Sequence, residues 1–535
     1  MPPIGRQVAG RGLIEGLVQH TSAQALHAVA DDDADLTHFE DLAVRAGWNG
    51  QIRRHRHDAL SSRAEIGTLM LPGPGLAPFA WARSRNGGAN YALCGLTHTI
   101  ATHRMTEELF DLLVAPLTPA DTIVCTSKAV RDAVRYQFDM ADEAGWGARD
   151  AHPELPVIPL GIDTSAFADN HGTRADRRRR LGVSQDGVAV LSVGRLSVFE
   201  KMHPAPLFLA LQRAAAEIAQ PLHLFMCGWF PDSISERLHR AMAAEFAPDI
   251  TVSFPDGRDA ETCRGLYQAA DLFVFPVDNI QETFGLAPVE AMAAGLPVVA
   301  SDWNGIAETV VHGETGLKVP TFMAAPGSGG GMAARYADGT HSYHQYLGCV
   351  QQRVAVDVRA LAQAVQALSD NPGLRRQMGA AGRRRARDVY DWAAVVPRFE
   401  AQWASQAERL RGTHPPALTR HPDEARRPPH PDPLSQYSGY ASARLSGRHV
   451  LTQAAPLDKA RLSRLIHLTG AAQSGYLAAT PETLLRISAE IHDRTQISMD
   501  DLAASLDLSF VETEAAALRL AKYDLLQIID QEVRQ

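Results

Sequence analysis

From Val188 to Pro320 the chain repeats one pattern, an apolar run of four to seven residues followed by a helical stretch. The runs are VAVLSV (188–193), PLHLFMC (221–227), ITVSF (250–254), DLFVF (271–275), LPVVAS (296–301) and GLKVP (316–320). Strands that alternate with helices predict parallel βα units, because a parallel neighbour is reached only through a crossover. The first half repeats the pattern with ALHAVA, EIGTLMLPGPG, ANYALCGLTHTI, DTIVCTSKAV and ELPVIPLGID. In open sheets of this kind ligands collect at the carboxyl ends of the strands.

At 535 residues the chain is too long for one core and should hold two or three domains. Its 52 Lys and Arg against 61 Asp and Glu give −9, which argues against a nucleic-acid-binding surface. Five scattered cysteines, in no metal-ligand spacing, suit a reducing compartment. No apolar run reaches the length of a membrane span, and the N-terminus lacks the pattern of a secretory signal, so a cytoplasmic protein is expected.

The stretch QETFGLAPVE carries the chemistry. A loop with Glu282 runs through Phe284, Gly285 and Leu286 into a helix bearing Glu290, so two carboxylates frame one helix N-terminus. Such a terminus offers free amides to a phosphate, and carboxylates accept from pairs of sugar hydroxyls. Together they describe a nucleotide-sugar pocket. Upstream, the strand VAVLSV ends in Gly194-Arg195, with Lys201 six residues on. His98, in LTHTI, stands at the expected carboxyl end of another strand.

These ten residues resemble the Glu-x7-Glu signature of retaining glycosyltransferase family 4 (glycosyl transferases group 1). The likeness extends over roughly residues 85 to 410 and is strongest from Val188 to Pro320. It implies the GT-B fold, two facing Rossmann-like α/β domains with parallel sheets. It also implies roles: Glu290 on the nucleotide ribose, Glu282 and His98 at the donor sugar, Arg195 and Lys201 on the diphosphate, with Gly194 and the amides of Phe284, Gly285 and Leu286 around them. The spacing from Arg195 to Lys201 is one residue longer than the commonest form. The donor would be a UDP- or GDP-sugar taken as substrate, with no cofactor and no metal. The acceptor would be a glycan, a lipid or a small-molecule hydroxyl, and a lipid acceptor would make the protein peripheral at the inner membrane face. Anomeric configuration would be retained.

The same reading gives the boundaries. Residues 1–165 form an N-terminal Rossmann-like acceptor-side domain, and 166–390 a C-terminal nucleotide-sugar-binding domain with an insertion at 321–353. Residues 391–412 form a closing helix that crosses back to the first domain, 413–450 a Pro-rich linker, and 451–535 an all-helical, helix-turn-helix-like module. The linker has seven prolines between Thr413 and Pro433. The module, with 8 basic against 12 acidic residues, suits a protein partner or self-association better than DNA. The opening GRQVAGRGLIEGLVQH reads as a glycine-rich turn entering a helix. Gly5, Arg6 and Gly10 are candidates near the donor phosphates, or plain helix punctuation. Only Met1 to Ile4 precede them, so the first strand is truncated, either because the true start lies upstream or because the domain is abbreviated. The acidic run Asp31 to Asp35 is expected to be a solvated loop. In the insertion, Tyr336, Tyr343, His344, Tyr346 and Leu347 could anchor the second half. Two other functions stay open: a nucleotide-sugar epimerase of the same fold, and a non-catalytic adaptor built on a degenerate transferase body.

Overall fold

Four of the apolar runs of the second half, at 188–193, 222–227, 272–275 and 298–301, become strands buried along almost their whole length, as a parallel sheet covered on both faces requires, while the runs at 251–253 and 316–319 become less buried edge strands. In the computed structural model, which describes residues 5–57, 60, 66–85, 90–146, 152–167, 174–411, 433–436, 438–439, 441, 443–468 and 479–529, the chain divides into two compact units, Met1–Pro422 and Asp423–Gln535. Residues 1–4 and most of the Pro-rich stretch lie outside the described residues.

Among the described residues five strands precede residue 165. β1 (Ala25–Val29) pairs in parallel with β2 (Gln51–His55), and β3 (Thr68–Met70), β4 (Ala92–Leu96) and β5 (Thr122–Val124) form a parallel triplet in that order. This lobe has its own core, Leu69, Leu93, Leu109, Ile123 and Val134 among its residues. The next six strands are β6 (Val188–Val193), β7 (Leu222–Cys227), β8 (Thr251–Ser253), β9 (Leu272–Phe275), β10 (Val298–Ser301) and β11 (Gly316–Val319). They make one parallel sheet ordered β11-β10-β9-β6-β7-β8. The chain order reverses at β6 and β9, so the carboxyl ends of these two strands border the crevice where such sheets bind ligands.

The two lobes meet at those ends, the GT-B arrangement of facing Rossmann-like domains. Ser127 Oγ donates to the Thr283 carbonyl at 2.9 Å. The Glu308 carboxylate accepts from the Lys128 amide at 2.7 Å and the Ala129 amide at 3.3 Å, capping the helix Lys128–Glu143 from the opposite lobe. The helix Trp392–Arg411 runs back over the first lobe, where Gln406 Nε2 donates to the carbonyls of Leu93 and Ala120, both at 2.9 Å.

Three expectations change. The glycine-rich opening is no turn: Gly5–His20 is one helix. Glycine costs a helix interior about 1 kcal/mol, but here it allows close packing, because a Cβ at Gly16 would lie 2.4 Å from the Trp392 ring. The acidic run caps a helix: Asp32 accepts from the Ala34 amide and opens Asp33–Arg45, while Asp31 holds the His57 amide at 3.1 Å. The C-terminal unit has the expected helices, Pro481–Arg494, Met499–Leu506 and Phe510–Lys522, but is not all-helical.

The insertion folds on a two-stranded base, β12 (Thr321–Met323) antiparallel to β13 (Val354–Val356), and carries the helices Gly330–Ala337 and Tyr343–Gln351. In the C-terminal unit β14 (Val450–Gln453) lies between β15 (Gln496–Ser498) and β16 (Leu526–Ile529), antiparallel to both. These strands of three or four residues are only partly buried, so they show neither a continuous apolar run nor enough alternation to be read from sequence. Ser498 does cap the helix that follows it, accepting from the Asp501 amide.

Candidate active site

The loop after β9 folds onto its own carboxylate. Glu282 Oε1 accepts from the amides of Thr283, Phe284 and Gly285 at 3.3, 3.4 and 2.9 Å, and Oε2 pairs with Lys201 Nζ. Lys201 Nζ also lies 5.1 Å over the Phe275 ring. Burial pushes the Glu282 carboxyl up, but the Lys201 charge and the amides outweigh it and leave it below its ordinary value. The group is therefore charged at neutral pH.

Gly285 ends the loop at φ +88° and is the N-cap of the helix Leu286–Ala293. A Cβ there would sit 2.7 Å from Ile306 Cγ1, so glycine is required twice over, by conformation and by space. In the second turn of that helix Glu290, half-buried, accepts from the Tyr267 hydroxyl at 2.8 Å. Burial raises its pKa, with Tyr267 and Lys201 opposing. A carboxylate has about four acceptor positions, so one phenol leaves room for a pair of hydroxyls.

Arg195 stands just beyond β6, where Gly194 and Gly228 touch: a Cβ on Gly228 would lie 1.9 Å from the Gly194 carbonyl oxygen. That contact seats the Arg195 loop against the end of β7. The Arg195 guanidinium pairs with Glu200 at 2.6 Å and faces the Gln281 side chain. Arg195, Lys201 and Glu282 therefore lie together beyond β6 and β9, linked through Gln281 and the Lys201 pair, and Glu290 lies in the field of the same lysine.

His98 lies just past β4, on a loop held by the Thr97 hydroxyl, which accepts from the Thr126 amide at 3.2 Å. The neighbouring Thr99 hydroxyl reaches the Gln281 carbonyl at 3.5 Å, so this loop adjoins the residue before Glu282. Gly5, Arg6 and Gly10 lie on the N-terminal helix rather than in a loop. Four groups at the crevice are absent from the sequence-based site. Glu200 pairs with Arg195; Tyr267 holds Glu290; Asn304 Nδ2 donates to the Glu282 carbonyl at 2.7 Å; and buried Asp278 accepts from the His203 amide at 3.0 Å and from Gln351 Nε2 at 2.8 Å. Only Glu200, adjacent to Lys201 in VFEKMHP, could have been guessed. Among the described residues no group of three or more His, Cys, Asp or Glu side chains could hold a metal ion, and no helix is long and apolar enough to cross a membrane.

Residues 187–335 match the family described as glycosyl transferases group 1. The chain is similar to D-inositol 3-phosphate glycosyltransferase of Corynebacterium efficiens, 34% identical over 195 residues, which are 35% of this chain and 44% of that protein. It is also similar to alpha-maltose-1-phosphate synthase of Mycolicibacterium smegmatis, 28% identical over 282 residues, 52% of this chain and 61% of that one. The chain thus spans about half the length of the curated relatives it matches. A solved structure of Anabaena HepE in complex with UDP aligns with a TM-score of 0.49 at 16% identity, covering 74% of this chain and 96% of that one.

Proposed function

We propose that the chain is a glycosyltransferase that moves a sugar from a nucleoside diphosphate sugar to a hydroxyl of a saccharide, lipid or small molecule. The observation that carries this is the crevice itself, where two cations and two carboxylates converge on one helix N-terminus. Arg195 and Lys201 would hold the diphosphate, Glu290 the ribose hydroxyls, and Glu282 the donor sugar, with the amides at Phe284, Gly285 and Leu286 completing the cradle. His98, across the crevice, would orient sugar or acceptor.

The reaction we propose retains configuration and needs no metal. The bond from the anomeric carbon to the diphosphate oxygen breaks, the acceptor oxygen bonds that carbon on the same face, and the acceptor proton passes to the departing phosphate. Fixed cations stabilise the charge that develops on that leaving group. Contacts between the lobes, through Ser127 and Glu308, support a closed arrangement that keeps water from the donor.

The test is release of UDP or GDP from a panel of nucleotide sugars, with chelator present. Wild type should release nucleotide from one donor. Lys201→Ala should lose about 10-fold to 100-fold in kcat/KM, as expected for a lost charge-assisted contact of about 1.5–3 kcal/mol, and Glu290→Ala a comparable amount. Background release across the panel, with no nucleotide binding by calorimetry, would sink the proposal.

A further inference from the structure

Both cations proposed to hold the diphosphate are already paired. Lys201 holds Glu282, which the donor sugar would use in turn. The partner of Arg195 is different: Glu200 has no part in the donor reading, yet its Oε2 sits 2.6 Å from the guanidinium that the phosphates need. Its other oxygen, Oε1, is 3.0 Å from His344 Nδ1, and His344 belongs to the insertion. The helix Tyr343–Gln351 is packed onto this loop at several points. The His344 ring stands edge-on to Phe199 at 4.8 Å, Gly348 lies against the same ring, and Gln351 reaches Asp278.

The helix is also tied to the other lobe. Tyr336 stacks on Tyr346 at 4.4 Å and on His103 at 3.8 Å, and its hydroxyl accepts from the His103 amide at 2.9 Å. The insertion is thus fixed at both ends of its second half. Three buried polar atoms in it have no hydrogen-bond partner among the described residues, His341 Nδ1, Gln351 Oε1 and the Tyr343 hydroxyl, and of these the hydroxyl is borne by the residue next to His344. Burial pushes this phenol up, and among nearby charges Glu200 acts in the same direction while Arg195 opposes. Tyr343 opens the helix immediately before His344, the residue that holds Glu200. An orphaned buried hydroxyl is costly unless another state of the protein satisfies it.

We propose that Glu200 is an internal competitor of the donor diphosphate for Arg195, and that the insertion, through His344 and the Tyr343 hydroxyl, is the seat that receives Glu200 when the donor displaces it. This rests on the donor reading above. It makes Glu200 and Tyr343 positioning residues: neither touches the reacting atoms, and both set the affinity for the diphosphate.

The experiment is titration calorimetry of the full chain with UDP, GDP and ADP, on wild type, Glu200→Gln, Tyr343→Phe and the double variant, with Lys201→Ala as reference. Glu200→Gln removes the competing charge and should tighten binding of the preferred nucleotide about fivefold to tenfold. Tyr343→Phe should weaken it about threefold to fivefold with no loss of thermal stability. In the Glu200→Gln background Tyr343→Phe should change nothing, because the charge it helps to seat is gone. Binding that Lys201→Ala weakens but Glu200→Gln leaves unchanged or weakens overturns this inference alone. So does a Tyr343→Phe effect that persists in the double variant. A chain that binds none of the three nucleotides, or binds one regardless of Lys201, overturns the donor reading and this inference with it.

Discussion

Asp278 shows how one side chain at this crevice couples to pH. It is buried beyond β9, its carboxyl raised from 3.8 to about 6 by burial, with the His203 amide and the Gln351 side chain opposing. The folded state therefore binds this proton more tightly than the unfolded chain does. The stability that the difference supplies is fully present below about pH 4 and is lost as pH rises through about 6. Asp278→Asn keeps an acceptor for both donors and carries no charge. Relative to wild type it should be more stable at pH 8, by up to about 3 kcal/mol, with the gap closing toward pH 4; urea unfolding at pH 4, 6 and 8 measures it. Nothing in PVDNIQE marked this aspartate, because its burial depends on Gln351, 73 positions away. Glu282 and Glu290 could be read from sequence because a single loop-to-helix turn holds both. Tyr267 and Glu308 could not, since each acts on a residue brought to it by the fold, across 23 positions for Tyr267 and Glu290 and 180 for Glu308 and Lys128.

At the level of elements, legibility followed burial. β6, β7, β9 and β10 read as strands because parallel strands covered on both faces are continuous apolar runs. The N-terminal helix misled for the opposite reason, Gly12 and Gly16 serving close packing on Trp392 while looking like a turn. The helix Leu286–Ala293 sits between these cases, with its start fixed by one glycine. Gly285→Ala would force an L-residue to φ +88° and drive its Cβ into Ile306. About 2 kcal/mol or more of stability should be lost, and the shifted amides should weaken nucleotide binding beyond what thermal unfolding explains. Calorimetric binding measured well below the midpoint separates the two effects. Unchanged affinity in a folded Gly285→Ala protein would remove the helix terminus from the donor site.

For the molecule as a whole, the question is which parts depend on one another. Within Met1–Pro422 the lobes are joined by the cap that Glu308 gives the helix Lys128–Glu143 and by the return of Trp392–Arg411 over the first lobe. Glu308→Ala should cost about 1 kcal/mol, as for other lost caps, and should raise KM for the donor more than it lowers kcat, because the reacting groups are intact but closure is weaker. The C-terminal unit has its own core among the described residues, which includes Leu451, Leu484, Ile487, Met499, Leu502, Ala516 and Leu520. A core that closes on itself unfolds as its own cooperative unit. Scanning calorimetry of the full chain should therefore show two transitions, and a chain ending at Pro422 should keep the larger one along with nucleotide binding. A single transition, or a shortened chain that no longer folds, would mean that the two cores are energetically one. If the shortened chain binds nucleotide normally but turns over more slowly, the C-terminal unit acts on catalysis or acceptor engagement rather than on donor binding.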